Sequence, residues 1–289
     1  MWKRRRFGWK TEFGIYFWKP VCRRRISPTK CIGKPSGTRK GIGKTKGLVI
    51  RETGFGEWDK YITVLSEDGI CSVLCKGVRS KNSKNAPATR LFCYSEFTVH
   101  ESRGKFTLKE AAVRTPFWGV TEDMARYALF CYFSQLAERA VFGDRDQAKP
   151  VLELFLRALY SVTEKQRSLT LVKSVFELRL AAGSGFLPDL AGCPHVGAEG
   201  PVCFSIADGT AVCPACAPAG YITISRGVFD ALRFICSAET RRVFSFSLPP
   251  AGEAALGALA ERYLLYHWGE KPKTLEFYKS LATTEFTKI

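Results

Sequence analysis

Histidine is scarce in this 289-residue chain: His100, His195 and His267 are the only three, and no Gly-x-Ser-x-Gly or His-Glu-x-x-His pattern occurs. Without a nucleophile turn or a paired metal-binding helix, hydrolytic chemistry has no site, and the sequence reads as a non-enzyme. No apolar run approaches the roughly 18 residues that a membrane-spanning helix needs, so no span and no membrane partner is expected. A secretory signal is missing too, because the short apolar stretch near the N-terminus contains Glu12 and runs into Arg23-Arg24-Arg25. Acids are almost absent from residues 1–46, where Glu12 stands alone against 15 Lys and Arg.

That last scarcity changes the meaning of the formal charge of +17. Residues 1–46 carry +14, residues 47–119 carry +3, and residues 120–289 are balanced. The charge therefore belongs to an N-terminal arm rather than to the folded body. Residues 1–45 mix Arg and Lys clusters with aromatics that follow no clean period, then become a Gly/Lys/Pro/Thr stretch, a composition expected to stay disordered. Three accounts of the arm stand open: a basic tail touching phosphates, a transit peptide, or a reading frame that begins too early. The last needs a non-AUG start, since Met1 and Met124 are the only methionines. The 11 cysteines, an odd number, are scattered, which fits free thiols in a reducing cytoplasmic compartment.

Residues 46–119 read as five strands. The β-branched runs 46–52, 59–66 and 69–75 are separated by Gly, Asp and Glu turns, and two more follow around 91–101 and 105–113. The turn Glu101-Ser102-Arg103-Gly104 predicts a hairpin with a loop of roughly three to five residues. Five strands with a long third-to-fourth connection fit an OB-fold barrel, a fold that binds oligonucleotides. That connection is free of acids between Asp68 and Glu96 and carries Lys76, Arg79, Lys81, Lys84 and Arg90 among Ser80, Asn82, Ser83 and Asn85. These are the candidate DNA-binding residues, suited to phosphate contacts. Gly37 to Thr45 only imitates a phosphate-binding loop, because Thr38 occupies the place of its first glycine.

From Thr121 the apolar period changes to that of helices, with Thr121-Glu122-Asp123 as a cap and further helices at about 149–163, 168–183, 225–238, 251–267 and 273–282. The fold class is thus α+β, a barrel (46–119) followed by a helical domain (120–289). Inside the latter, Cys213-Pro214-Ala215-Cys216 has the spacing of a zinc knuckle, with Cys193 upstream. Val196 stands where the fourth cysteine of a pair-and-pair site belongs, so the fourth ligand is either His195 or Cys203. One structural Zn2+, a decayed site that folds without metal, and a redox pair at Cys213 and Cys216 are the alternatives.

Taken in order, Thr45-Lys46-Gly47-Leu48-Val49-Ile50-Arg51, Gly54-Phe55-Gly56-Glu57-Trp58-Asp59-Lys60, Leu65-Ser66-Glu67-Asp68-Gly69, Lys76-Gly77-Val78-Arg79, Glu101-Ser102-Arg103-Gly104 and Phe186-Leu187-Pro188-Asp189 resemble the bacterial recombination mediator family RecO. The resemblance runs over about 46–285. It implies a DNA repair and recombination protein that binds single- and double-stranded DNA and anneals complementary strands. It also implies RecR as a partner in loading RecA onto DNA coated by single-strand-binding protein, whose acidic C-terminal tail is contacted, in a nucleoid-associated setting. Lys76 and Arg79 match the family's Lys-Gly-x-Arg element, and Cys193, Cys213 and Cys216 match three of its four zinc cysteines. Two rivals are a protein-interaction adaptor using the barrel as scaffold, suggested by the zero net charge of 120–289, and a zinc-ribbon nucleic-acid-binding protein of another pathway.

Overall fold

The computed structural model describes residues 41–285 apart from 194 and 196–199, with backbone only for 282–285. The expectation of a disordered arm falls, for residues 1–40, outside the described residues. Five strands come first: β1 Ile42–Phe55, β2 Asp59–Ser66, β3 Gly69–Cys75, β4 Cys93–Ser102 and β5 Lys105–Pro116. They close in the order β1-β2-β3-β5-β4, with a parallel joint where Val73 meets Phe106 and Leu74 meets Thr107. This is the OB-like barrel that the sequence predicts. Composition assigns Ile42–Thr45 to the disordered extension, but they are strand: β1 begins at Ile42 and these residues pair with β4.

β1 serves two neighbours, pairing with β4 over 42–48 and with β2 over 47–55. The handover falls on Gly47, where an added Cβ would overlap the Val64 side chain and stand 2.7 Å from the Leu65 carbonyl oxygen. Only glycine allows the strands this approach. The β4–β5 turn is shorter than expected: Ser102 pairs with Lys105, leaving Arg103 (φ 49°) and Gly104 (φ 73°) between them. Two successive left-handed residues give the two-residue turn whose twist matches its strands.

Alternation splits the barrel's apolar residues into two sets. Val49, Ile62, Val64, Val73, Phe97 and Phe106 fill the interior. Leu48, Ile50, Leu65 and Ile70 face outward and join the core of the helical domain. Phe92 completes that joint, fully buried at φ 58°, its N–H donating to the Val49 carbonyl (2.9 Å) and its ring against Tyr127, Phe130 and Phe155. A bulky residue held in the left-handed region signals that packing overrides local preference.

The helical domain begins with α1 Met124–Gly143, α2 Ala148–Thr163 and α3 Leu169–Gly183. Of the predicted cap Thr121-Glu122-Asp123, Asp123 is the capping residue of α1, its carboxylate accepting the Arg126 N–H at 2.7 Å. A small sheet of β6 Val202–Phe204, β7 Ala211–Val212 and β8 Ile222–Ile224, in the order β7-β6-β8, interrupts the helices. Then come α4 Arg226–Ser237, α5 Pro250–Trp268 and α6 Lys273–Glu285. α3 is the central rod: Phe176 stacks on Phe133 of α1 at 3.9 Å, and buried Lys173 lies 2.9 Å from both Glu177 and Glu261. No helix among the described residues is long and apolar enough to cross a membrane.

Candidate nucleic-acid interface and metal centre

β3 ends at Cys75, a thiol in the barrel interior that burial pushes up to about 12 and so leaves inert. Gly77, at φ 62°, then turns the chain outward. Three bonds fasten this turn to the β1–β2 hairpin tip. The Gly77 N–H donates to Asp59 Oδ1 (2.7 Å), the Arg79 N–H to the Trp58 carbonyl (2.9 Å), and the Arg79 Nη1 to the Gly56 carbonyl (3.3 Å). One oxygen of Asp59 is thereby engaged by backbone instead of facing an approaching polyanion.

Lys76, Arg79, Lys81, Lys84 and Arg90 are all exposed, and none forms an ion pair among the described residues. Arg90 instead lies over the Trp118 ring, 5.7 Å from its centroid. Elsewhere on the barrel the cations Arg51, Lys60 and Arg114 are paired with Glu138, Glu52 and Glu96. The loop therefore offers cations whose charge no carboxylate already balances, the form in which phosphates are bound. Asn85 departs from its expected role. Its Oδ1 accepts the Ala111 N–H (2.9 Å) and its Nδ2 donates to the Lys109 carbonyl (3.4 Å), so it clamps the loop to β5 rather than presenting a free amide.

The sequence reading passes over three aromatics at the same place. Phe55 is 52% exposed, Trp58 51% and Tyr61 37%, with Phe55 and Tyr61 edge to face at 5.2 Å. For Trp58 a signal was available, since a large ring in the turn after Gly54-Phe55-Gly56 has no core to enter. What strand alternation hides is the bulge at Ile50, where Val49 pairs with Val64 but Arg51 pairs with Thr63. One extra residue reverses the parity of the rest of β1, bringing Thr53 and Phe55 to the outer face with Tyr61.

The second candidate site lies at the edge of the small sheet. The ligand atoms of Cys193, His195, Cys213 and Cys216 all lie within 4.8 Å of one another. Cys213 follows β7 directly, and the Cys216 N–H donates to the Cys213 carbonyl (3.1 Å) in the tight knuckle turn. Cys216 Sγ is 3.4 Å from His195 Nδ1. The Cys193 thiol is pulled down to about 7, chiefly by the Cys213 N–H donating to its sulfur (3.3 Å). Cys216 is pushed up to about 11 by its neighbours, the Cys213 thiol first. Cys203, the other candidate ligand, is not in the group: it is buried in β6 with its sulfur 3.8 Å from Thr223 Oγ1. Strand β6 turns Val202 and Phe204 into the domain core, and Cys203 between them is held on the opposite face by pairing with Val212 and Thr223, away from the cluster.

The donor set suits zinc. Three sulfurs and one imidazole nitrogen are tetrahedral zinc ligands, and at ordinary bond lengths their atoms would sit about 3.8 Å or less apart. With four protein ligands such a site has no open position for a substrate.

Comparison with known proteins follows the same division of the chain. Residues 42–117 match the family described as Recombination protein O N terminal, and residues 121–276 match Recombination protein O C terminal. The chain belongs to the RecO family. Two curated relatives, each named DNA repair protein RecO, agree. The one from Acetivibrio thermocellus is 29% identical over 243 residues, covering 82% of this chain and 96% of its own. The one from Symbiobacterium thermophilum is 27% identical over 245 residues, with the same coverage. Membership in RecO indicates a part in DNA repair and recombination, and in RecO terms the first match is the barrel with its cationic loop, the second the helical domain with its cysteine cluster.

Proposed function

We propose that this chain binds single- and double-stranded DNA through the barrel and anneals complementary strands. Working with RecR, it would then assist the loading of RecA onto DNA coated by single-strand-binding protein, whose acidic tail it contacts, at the nucleoid in the cytoplasm. The observation that carries this reading is the acid-free loop of unpaired cations, fastened by three hydrogen bonds to a rigid hairpin. Annealing requires phosphates of two strands to be neutralised without any reading of bases, because complementarity itself supplies the sequence information. Exposed Lys and Arg do this, and their effect depends on salt because counterions are released. A structural Zn2+ held by Cys193, His195, Cys213 and Cys216 would pin the segment around 193 to the β6–β8 sheet; that cross-link is all the ion would contribute.

A strand-annealing assay across a salt series tests the reading. The native chain should anneal complementary oligonucleotides, fastest at low salt. Replacing Lys76 and Arg79 together by Ala should slow annealing and weaken its salt dependence. If the double variant anneals like the native chain, the loop is not the DNA surface and the adaptor reading takes its place.

A further inference from the structure

The cations of the loop can neutralise phosphate, but point charges on flexible stems do not separate a single strand from a duplex. The outer face of β1 to β3 supplies that distinction. Through the registers Thr53↔Tyr61 and Tyr61↔Leu74, the bulged end of β1 is aligned with β2 and β3, so Phe55, Tyr61 and Leu74 share one face. Trp58 stands at the hairpin tip beside them. We propose that Phe55, Trp58 and Tyr61 form a base-stacking platform that makes this barrel prefer unpaired DNA, bases lying on the rings and phosphates on Lys76 and Arg79. The proposal rests on the DNA-binding reading above and names the form of DNA that this face selects.

Three observations favour bases over any other occupant. First, the rings are not surplus core: the barrel's interior aromatics, Phe97 and Phe106, are buried, whereas these three are held in solvent. Second, Arg79 is tied to the hairpin that carries the rings. Arg79 bonds through its backbone to Trp58 and through its guanidinium to Gly56, so phosphate and base contacts keep a fixed spacing. Third, of the acids on the hairpin Glu52 is paired with Lys60 and Asp59 accepts the Gly77 N–H, which leaves exposed Glu57 against Lys76, Arg79, Lys81 and Lys84, a cationic surplus of the right kind for a polyanion. Unbalanced cations next to exposed rings are the combination by which single strands are held. In a duplex each base face is covered by its neighbours, so only an unpaired strand can offer faces to the rings. The far end of the same loop repeats the pairing, with Arg90 over the exposed Trp118.

The test uses the full chain and fluorescence anisotropy with three probes: a thymidine oligonucleotide, an abasic strand of equal length, and a duplex. The native chain should bind the thymidine strand about tenfold or more tightly than the abasic strand, the scale of one stacked base. Phe55→Ala with Trp58→Ala should bring the thymidine affinity down to the abasic value while leaving duplex binding and the salt slope as they were. Circular dichroism and a thermal melt establish that the variant folds, and Trp58→Phe, which keeps a ring, should recover much of the difference. Equal native affinity for thymidine and abasic strands overturns the proposal, as does a variant that weakens all three probes alike. In both cases salt-dependent binding would leave the DNA-binding reading standing. If no probe binds in a salt-dependent way, both fail.

Discussion

Replacing Lys76, Lys81 and Lys84 together by Gln isolates charge from structure. None of these side chains forms an ion pair or a hydrogen bond among the described residues, and all three are exposed, so the triple variant should lose less than about 0.5 kcal/mol of stability per site. Its effect on DNA should nevertheless be large. Each phosphate neutralised contributes about −0.7 to the slope of log affinity against log salt for a single strand, and about −0.9 for a duplex. Three lost contacts therefore flatten the slope by about 2.1 on single strands and about 2.7 on duplex. Between about 50 and 200 mM salt, a fourfold change, the gap between native and variant affinities should close by roughly 20-fold on a single strand. Anisotropy titrations at four or five salt concentrations measure this directly. A change in slope below about 0.7, less than one phosphate, would refute the assignment of this loop to DNA, whatever the change in affinity at any one salt.

Other consequences are separable from DNA binding. The purified chain should carry one equivalent of zinc by elemental analysis; His195→Ala should lower it and Cys203→Ser should not, since Cys203 stands outside the cluster. Equal retention by His195→Ala would remove His195 from the ligand set. Phe92→Ala should cost about 3 to 4 kcal/mol in urea unfolding, because its ring touches Tyr127, Phe130 and Phe155 where barrel meets helices; a loss below about 1 kcal/mol would mean the joint repacks. Lys173→Met should destabilise by about 3 to 5 kcal/mol, since it leaves Glu177, fully buried and hydrogen-bonded to Tyr132, without its cation. A neutral result would show that Glu177 is readily protonated in place, as the upward push of burial on its carboxyl favours.

The helices were legible because their signals are local. Ser168 and Ser225 cap α3 and α4 through their side-chain oxygens, and Gly269 at φ 68° ends α5, so single residues mark the boundaries. The strand count was legible for the same reason, through β-branched runs and Gly turns. What lies beyond local pattern is the helical domain's polar interior. Lys173 and Glu177 read on paper as an ordinary solvent-facing pair one turn apart. They are buried because α3 has neighbours on every side, Tyr132 of α1 and Glu261 of α5 among them, and no spacing rule on α3 alone announces that.

At the candidate sites the limit is set by geometry between segments. Composition locates the cationic loop, but it treats Asn85 as equal to Asn82, and only the meeting with Lys109 and Ala111 of β5 shows that one amide is a clamp. Likewise the cysteine spacing cannot choose between His195 and Cys203, because the choice depends on which way β6 turns its side chains; pairing with Val212 and Thr223 fixes Cys203 in the sheet. The aromatic face is the deepest case. Period-two alternation from Val49 would send Phe55 into the barrel, where Val49 points, and the bulge at Ile50 sends it to solvent instead. A single inserted residue thus decides whether that ring joins the core or stands beside Arg79, and removing it should be felt first in how the barrel meets a single strand.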